Sequence, residues 1–169
     1  MNSTAYSLPN LTKISHYGFA TLYQNNITGE KSLHATVYHK AGDIFSKFDA
    51  SEIRTVPDKY TVQVNDYTHI ILDPEFLQYI NHSCNPNVFF DTTRMELSCL
   101  KDIAPGDELT FFYPSTEWSM ASPFNCFCGD NNCLHKIQGA SFLPQEVIHH
   151  YKFTDFIMDK LNIPHLQKV

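Results

Sequence analysis

The stretch Ile80-Asn81-His82-Ser83-Cys84-Asn85-Pro86-Asn87 is the most informative part of this chain. A dense run of polar side chains follows an apolar segment there, and the Asn85-Pro86 step marks a turn, because a residue before proline avoids the helical region. Taken by itself, the stretch fits an ordinary capped turn. Its order relative to two later motifs is what indicates the fold.

The first of these motifs, Pro105-Gly106-Asp107-Glu108-Leu109-Thr110-Phe111-Phe112-Tyr113, is a turn that leads into an apolar strand. The second is Cys126-Phe127-Cys128-Gly129-Asp130-Asn131-Asn132-Cys133, which places three thiols within eight residues. Both motifs carry side chains suited to chemistry, and both follow residues 80–87 in the chain.

The three closely spaced cysteines predict a metal site. Zinc is bound tetrahedrally by thiolates at about 2.3 Å, and a short loop can wrap such an ion. A structural site needs a fourth protein ligand, for which Cys84, His82 and His135 are the candidates. A loop of unconnected thiols is the alternative, which is disfavoured because it would be prone to oxidation.

Other cysteine chemistry is less well supported. A C-x-C step differs from the C-x-x-C of disulfide oxidoreductases, and no βαβ pattern surrounds it. Cys99 lies in an apolar strand pattern and is expected to be a small buried hydrophobe. The five cysteines are an odd number, and a reducing compartment would favour thiolate chemistry over paired disulfides.

Length and composition indicate one compact domain. The chain has 169 residues, 43% apolar and 18% charged, which excludes disordered, collagen-like and coiled-coil chains. A net charge of -6 without a Lys/Arg run disfavours nucleic acid as a direct partner and suits a basic protein partner. With no secretory signal in residues 1–11 and no membrane span, an intracellular protein of the cytoplasm or nucleus is expected.

Most of the chain is predicted to form short strands separated by turns. Alternating patterns occur in residues 17–23 and 33–37, and residues 60–64 and 69–72 predict another strand pair. Helix is expected only around residues 74–80 and after Pro144, where apolar residues recur at spacings of three and four. The predicted fold is mostly β, with few short helices and a helical C-terminal tail.

The three motifs, in this order, resemble those of SET-domain protein lysine methyltransferases that carry a post-SET zinc loop. The resemblance covers residues 15–137 and implies the β-clip SET fold, in which short sheets surround a knot-like core. It implies a stand-alone SET domain at residues 15–120 and a zinc loop at residues 121–138. Residues 1–14 would be an N-terminal extension, and residues 139–169 a helical tail packed on the same domain.

The resemblance also implies roles for individual residues. Tyr113 occupies the position of the family's active-site tyrosine. Cys84 would be the fourth ligand of one structural Zn²⁺, beside Cys126, Cys128 and Cys133. The residues implied to bind S-adenosylmethionine are Tyr17, Gly18, Phe19, Asn81, His82, Tyr113 and Trp118.

An aromatic channel is expected to receive the substrate lysine. Its candidate walls are Phe48, Tyr60, Phe111 and Trp118, which can enclose the amine stem by apolar and cation-π contacts; ordinary core packing is the alternative for each. An apolar channel also favours the neutral amine, and no separate general base is evident. Phe111 matches a position where phenylalanine leaves more room than tyrosine, so we expect more than one methyl to be added.

The resemblance implies an S-adenosylmethionine-dependent protein lysine N-methyltransferase acting on histone-like basic tails. His16, Gln78 and Phe112 stand where the family usually has glycine, arginine and aspartate. These departures support one alternative, a catalytically inactive zinc-stabilised module that binds peptides or partner proteins. The intact Tyr113 favours the enzyme.

Overall fold

The computed structural model of the protein describes residues 10–164. Strands predominate, which confirms the mostly β prediction. The strands are β1 Leu11–His16, β2 Ala20–Asn25, β3 Lys31–Ala35, β4 Ile44–Lys47, β5 Asp49–Arg54, β6 Val62–Asn65, β7 Thr68–Asp73, β8 Asn81–His82, β9 Val88–Asp91, β10 Glu96–Cys99, β11 Thr110–Phe111, β12 Phe124–Asn125 and β13 Lys136–Ile137.

The strands form small sheets rather than one large one. Their orders are β1-β2-β3, β4-β10-β9-β11-β8, β5-β7-β6 and β12-β13. Most neighbours are antiparallel, but β11 pairs in parallel with both β8 and β9. The register places Thr110 beside Asn81 and Phe111 beside His82, so the two motifs singled out in the sequence lie side by side.

The first sheet differs in detail from the predicted strands. β2 begins at Ala20 rather than Tyr17, because residues 17–20 form a tight turn in which the Tyr17 N–H donates to the Ala20 carbonyl at 2.8 Å. Gly18 has a φ of 70° in that turn, a conformation that glycine adopts without steric cost. β1 was not predicted as a strand; it pairs with β2 across an irregularity between Lys13 and Ser15.

β3 is covered along both edges and on both faces. Besides β2, the segment that leads into β11 pairs with it, as the Leu109 N–H donates to the Leu33 carbonyl at 2.8 Å. Alternation predicted an outward His34, but this side chain is buried and its Nδ1 lies 3.0 Å from the Gly106 carbonyl. The face of β3 that was expected to be exposed is therefore covered by the segment that leads into β11.

The predicted pair at residues 60–72 is present as β6 and β7, and β5 joins it on the other side of β7. β5 was not predicted from the sequence. Its residues, Asp-Ala-Ser-Glu-Ile-Arg, are mostly exposed and lack the alternation of apolar and polar residues that is typical of a half-buried strand. It forms the edge of this sheet.

Helices are few and short, as predicted. A 3₁₀ helix spans Glu75–Tyr79, and the tail contains α1 Gln145–Ile148 and α2 Asp155–Leu161. Ile148, Phe153 and Ile157 of the tail form a buried cluster with Phe112. Within residues 10–164, no helix has the length and apolar character needed to cross a membrane.

Candidate active site and cysteine cluster

Tyr113 lies where β11 ends and a 3₁₀ turn, Tyr113–Ser115, begins. Its hydroxyl donates to the Ile80 carbonyl at 3.3 Å, just before β8. Burial, with a contribution from the charge of Glu108, raises the pKa of this phenol well above its usual range. The side chain is therefore a neutral phenol fixed between the two central motifs.

His82 connects Tyr113 to the cysteine cluster. The Tyr113 N–H donates to His82 Nδ1 at 3.3 Å, which leaves the ring proton of a neutral imidazole on Nε2. Nε2 in turn lies 3.4 Å from Cys84 Sγ. Burial lowers the pKa of His82 to about 4, so the ring is neutral at physiological pH.

Tyr113 faces a cavity of about 920 Å³, within the range typical of cofactor and small-molecule sites. The rings nearest Tyr113 are those of Phe111, His82 and Phe124, with centroids 4.6, 5.3 and 5.9 Å away. The cavity is thus lined by closely packed aromatic rings. The site residues predicted from sequence that line it are Tyr60, Asn81, His82, Phe111, Tyr113, Cys126 and Cys128.

The loop predicted to bind the cofactor lies outside the lining of this cavity. The Tyr17 ring is stacked on Phe76 with centroids 3.9 Å apart, and the Phe19 ring packs edge-on against Phe45. The carbonyl of Gly18 accepts a hydrogen bond from the Thr36 hydroxyl. These contacts show what the three residues do in the fold, while their role toward a cofactor stays a prediction.

Two of the four expected channel walls also lie elsewhere. Phe48 is 5% exposed and packs in the main core, with its ring centroid 5.5 Å from that of Phe90. Trp118 packs with the tail cluster around Phe112, and the Lys160 ammonium lies 5.1 Å from its ring centroid. Phe48 and Trp118 therefore pack in hydrophobic clusters, which was the alternative to a place in the channel wall.

Asn81 lines the cavity, but its amide nitrogen is already hydrogen-bonded within the protein. It donates to the Lys31 carbonyl at 3.0 Å and to Glu108 Oε1 at 2.9 Å. The two amide hydrogens of Asn81 therefore link β8 to β3 and to Glu108. Any contact of Asn81 with a ligand would come from its other polar atoms.

The three departures from the family pattern each have a local partner. His16 Nδ1 lies 3.2 Å from the Thr21 hydroxyl, and the Gln78 amide donates to Glu75 at 3.0 Å. Phe112 stacks on Tyr151, with ring centroids 3.6 Å apart and planes 7° apart. The aromatic residue before Tyr113 is thus part of the packing between the β-rich core and the tail.

The four cysteines predicted as zinc ligands come together. Their sulfur atoms, from Cys84, Cys126, Cys128 and Cys133, all lie within 4.8 Å of one another. Tetrahedral coordination with Zn–S bonds of about 2.3 Å requires S···S separations of about 3.8 Å, close to the 4.0 Å between Cys84 and Cys126. The donor set and its spacing therefore fit a metal ion of the zinc type, and His135 is not part of the cluster.

The thiols differ in how readily they ionise without a metal. Desolvation raises the pKa of Cys84 well above its usual range. Desolvation also acts on Cys128, but a backbone hydrogen bond from Asp130 and other hydrogen bonds outweigh it and lower its pKa to about 7. A bound cation would stabilise all four as thiolates.

Several lining residues were not predicted. Phe124 closes the cavity beside Tyr113, and Phe127, between two cysteines, is 90% exposed at its rim. Phe127 could have been foreseen, because its neighbours in the sequence are both predicted metal ligands. Glu117, which also lines the cavity, carries no comparable sequence signal.

Comparisons with known proteins agree with the site. The SET domain family matches residues 10–114. The chain is 43% identical over 124 residues to Methyltransferase flvH of Aspergillus flavus, covering 72% of this chain and 68% of that protein.

Two longer relatives match over shorter segments. A histone-lysine N-methyltransferase, H3 lysine-36 specific, of Candida albicans is 35% identical over 82 residues, which are 41% of this chain and 10% of that protein. Histone-lysine N-methyltransferase set9 of Schizosaccharomyces pombe is 42% identical over 53 residues, 30% of this chain and 11% of that protein. Since the family match spans most of the chain and includes Tyr113 and both central strands, the chain belongs to the SET-domain family of protein lysine methyltransferases.

Proposed function

We propose that the protein transfers methyl groups from S-adenosylmethionine to lysine side chains of basic, histone-like protein tails, in the cytoplasm or nucleus. The observation that carries this proposal is the Tyr113 hydroxyl, fixed by Ile80 and facing a large aromatic cavity that also contains His82. When bound, the cofactor supplies a methyl group activated by a sulfonium.

The residues around Tyr113 suit methyl transfer to an amine. The hydroxyl donates its proton to Ile80, so the lone pairs of its oxygen remain available to a methyl group with partial positive charge. Such a fixed dipole stabilises the transition state without reorganisation. The rings of Phe111 and Phe124 contribute apolar surface to the same region.

The cysteine cluster is proposed to hold one structural Zn²⁺ through Cys84, Cys126, Cys128 and Cys133. Cys126, Phe127 and Cys128 are also part of the cavity wall, so a metal there would fix one side of the site. The fourth ligand, Cys84, lies two residues after His82. Metal binding would thereby stabilise the position of the His82 ring that holds the Tyr113 backbone.

More than one methyl is expected per lysine. Phe111 has no hydroxyl that could hydrogen-bond to the amine and hold it in one orientation, and its ring lies against Tyr113. A methylated amine can therefore rotate and present its lone pair again. The net charge of -6 and the histone-lysine relatives support basic protein tails as the substrate class.

The test is mass spectrometry of candidate substrates after incubation with S-adenosylmethionine. Core histones and a library of basic peptides are compared with free lysine and small amines. Methylated lysines in protein or peptide, with dimethylated or trimethylated species present, are the expected result. Methylation confined to the small amines would contradict the protein substrate, and the absence of any product despite cofactor binding would contradict these basic substrates.

A further inference from the structure

Glu117 is a carboxyl in the wall of the Tyr113 cavity. Its Oε1 accepts a hydrogen bond from the Gln63 N–H of β6 at 2.8 Å and lies 3.2 Å from the Thr116 hydroxyl. Its own carbonyl accepts from the Ala140 N–H at 2.8 Å. The side chain is therefore held in place on the same wall as Tyr113.

This carboxyl has no cationic partner within residues 10–164, where the ion pairs involve other acidic side chains. Burial raises the pKa of Glu117 to about 7, although hydrogen bonds from Gln63 and Thr116 favour the ionised form. A half-buried carboxylate without a counterion is less favourable than one in water. Such a group at a cavity suits a ligand that brings a positive charge or a proton.

We propose that Glu117 is the proton acceptor for the substrate amine. The lysine enters as an ammonium, one of its N–H bonds breaks, and an O–H bond forms on the Glu117 carboxylate. The electron pair of the broken bond stays on nitrogen as the lone pair that accepts the methyl group. This inference rests on the proposed function, and it supplies the base that the sequence did not reveal.

The cavity favours this proton transfer. A free lysine has a pKa of about 10.4, and desolvation lowers the pKa of an amine while it raises that of a carboxyl. The two values therefore approach each other in the cavity, where a neutral pair is less costly than two ions. The other charged or titratable groups of the lining are Glu30, Lys31, Asp58, Lys59, Tyr60, Tyr79, His82, Glu108, Tyr113, Cys126 and Cys128.

Three other titratable groups of the lining, which could in principle accept a proton, already make contacts within the protein. His82 Nδ1 accepts the Tyr113 N–H, and its Nε2 faces Cys84. The Glu108 carboxylate accepts from the Asn81 amide at 2.9 Å. The phenol of Tyr113 is neutral and donates to Ile80, so it is no base. Of the other carboxyls of the wall, Asp58 pairs with Arg54, whereas Glu30 and Glu108 are exposed. Glu117 is the half-buried carboxyl of the wall that has no ion pair among the described residues.

The first test is Glu117→Gln, whose amide oxygen still accepts from Gln63 and Thr116. We expect kcat with a lysine peptide to fall about 100-fold near neutral pH, with a smaller change in KM. The defect should shrink as the pH approaches the pKa of lysine, because more substrate then arrives neutral. Glu117→Asp should recover part of the rate, and Glu146→Gln on the exposed face of α1 should match the parent protein.

The second test counts protons without turnover. Calorimetric titration of a lysine peptide in buffers of different ionisation enthalpy gives the protons released on binding. At pH 8 the parent should release almost no proton on binding, because the proton that leaves the amine is retained on Glu117. Release of a proton by the parent at this pH, or a Glu117→Gln rate defect that is the same at every pH, would overturn the proposal. A parent that neither binds nor methylates the peptide would instead contradict the proposed function.

Discussion

At the scale of single residues, the ring of Phe111 lies beside Tyr113 in the cavity that is proposed to receive the substrate amine. The ring is 7% exposed, and its centroid lies 4.6 Å from that of Tyr113. A hydroxyl at this position would add a hydrogen-bonding group to the cavity. Under the proposed function, the side chain at this position would therefore affect how many methyl groups are added.

We predict that Phe111→Tyr shifts the products toward monomethyl-lysine. The new hydroxyl would hold the amine and fill the room that a second methyl needs. Mass spectrometry of a methylated peptide measures the product distribution. Phe127→Tyr, at the 90% exposed ring of the cysteine loop, is the control and should leave the distribution unchanged. An unchanged distribution in Phe111→Tyr would show that this ring does not limit methylation.

Glu117 also predicts a dependence of stability on pH. Its pKa rises from 4.5 when unfolded to about 7 when folded, so the folded state retains the proton while the unfolded state loses it. Stability therefore falls as the pH rises through this window, and Glu117→Gln abolishes the effect. We expect Glu117→Gln to be more stable than the parent at pH 8, by on the order of 1–3 kcal/mol, and no more stable at pH 4.

Urea unfolding of both proteins at pH 4, 6 and 8 measures this difference. A parent that matches Glu117→Gln at all three pH values would mean that the carboxyl ionises as easily in the folded protein as in the unfolded chain. Glu146→Gln serves as a surface control with no expected pH dependence.

At the scale of elements, the tail is attached to the centre of the domain through Tyr151. Its ring stacks on Phe112, and its hydroxyl donates to the Cys84 carbonyl at 2.8 Å. The residue next to Tyr113 and a residue of the cysteine cluster thus share one partner in the tail. This arrangement explains why an aromatic residue is accommodated at position 112.

We predict that Tyr151→Phe and Tyr151→Ala separate the two contacts. Phenylalanine keeps the stacking and loses the hydrogen bond, at a cost of about 1 kcal/mol. Alanine also loses the stacked ring, and its total cost should be about 3 kcal/mol. Urea unfolding gives both values, and equal costs for the two variants would mean that the stack with Phe112 does not stabilise the protein.

The cysteine loop gives a prediction about metal. Purified protein should contain one equivalent of zinc, measured by atomic absorption, and Cys133→Ser should bind it more weakly because one thiolate of four is missing. Chelation should also weaken S-adenosylmethionine binding, since residues 126–128 line the cavity. Cys99→Ala, outside the cluster, is the control, and a metal-free parent with full cofactor affinity would contradict the role of the loop.

At the scale of the whole molecule, the sequence predicts which motifs come together better than it predicts their surroundings. The proximity of Tyr113 to His82 and the clustering of the four cysteines could be expected, because each residue belongs to a motif whose order along the chain is distinctive. Phe48 and Trp118 could not be placed, since an aromatic residue in a β-rich chain packs in a core as readily as in a channel.

The missed elements have a similar cause. β5 carries polar residues on both faces, and the buried His34 is covered by a segment far away in sequence. The periodicity of apolar residues and their strand propensity predict a strand and its two faces. Which segment covers each face depends on contacts between residues far apart in the sequence. Glu117 was missed for the same reason, because its position in the wall depends on β6 and on the turn after Tyr113.

The most direct test of the central claim is methyl transfer from labelled S-adenosylmethionine to core histones and basic peptides by the parent, Tyr113→Phe and Tyr79→Phe. Tyr79 lines the same cavity, but its hydroxyl lies 3.4 Å from the Lys31 ammonium rather than at the Ile80 carbonyl. Label transferred by the parent and by Tyr79→Phe, with a drop of about 100-fold in Tyr113→Phe, is the predicted result. Equal transfer by Tyr113→Phe and the parent would contradict the assignment of Tyr113 as the catalytic residue.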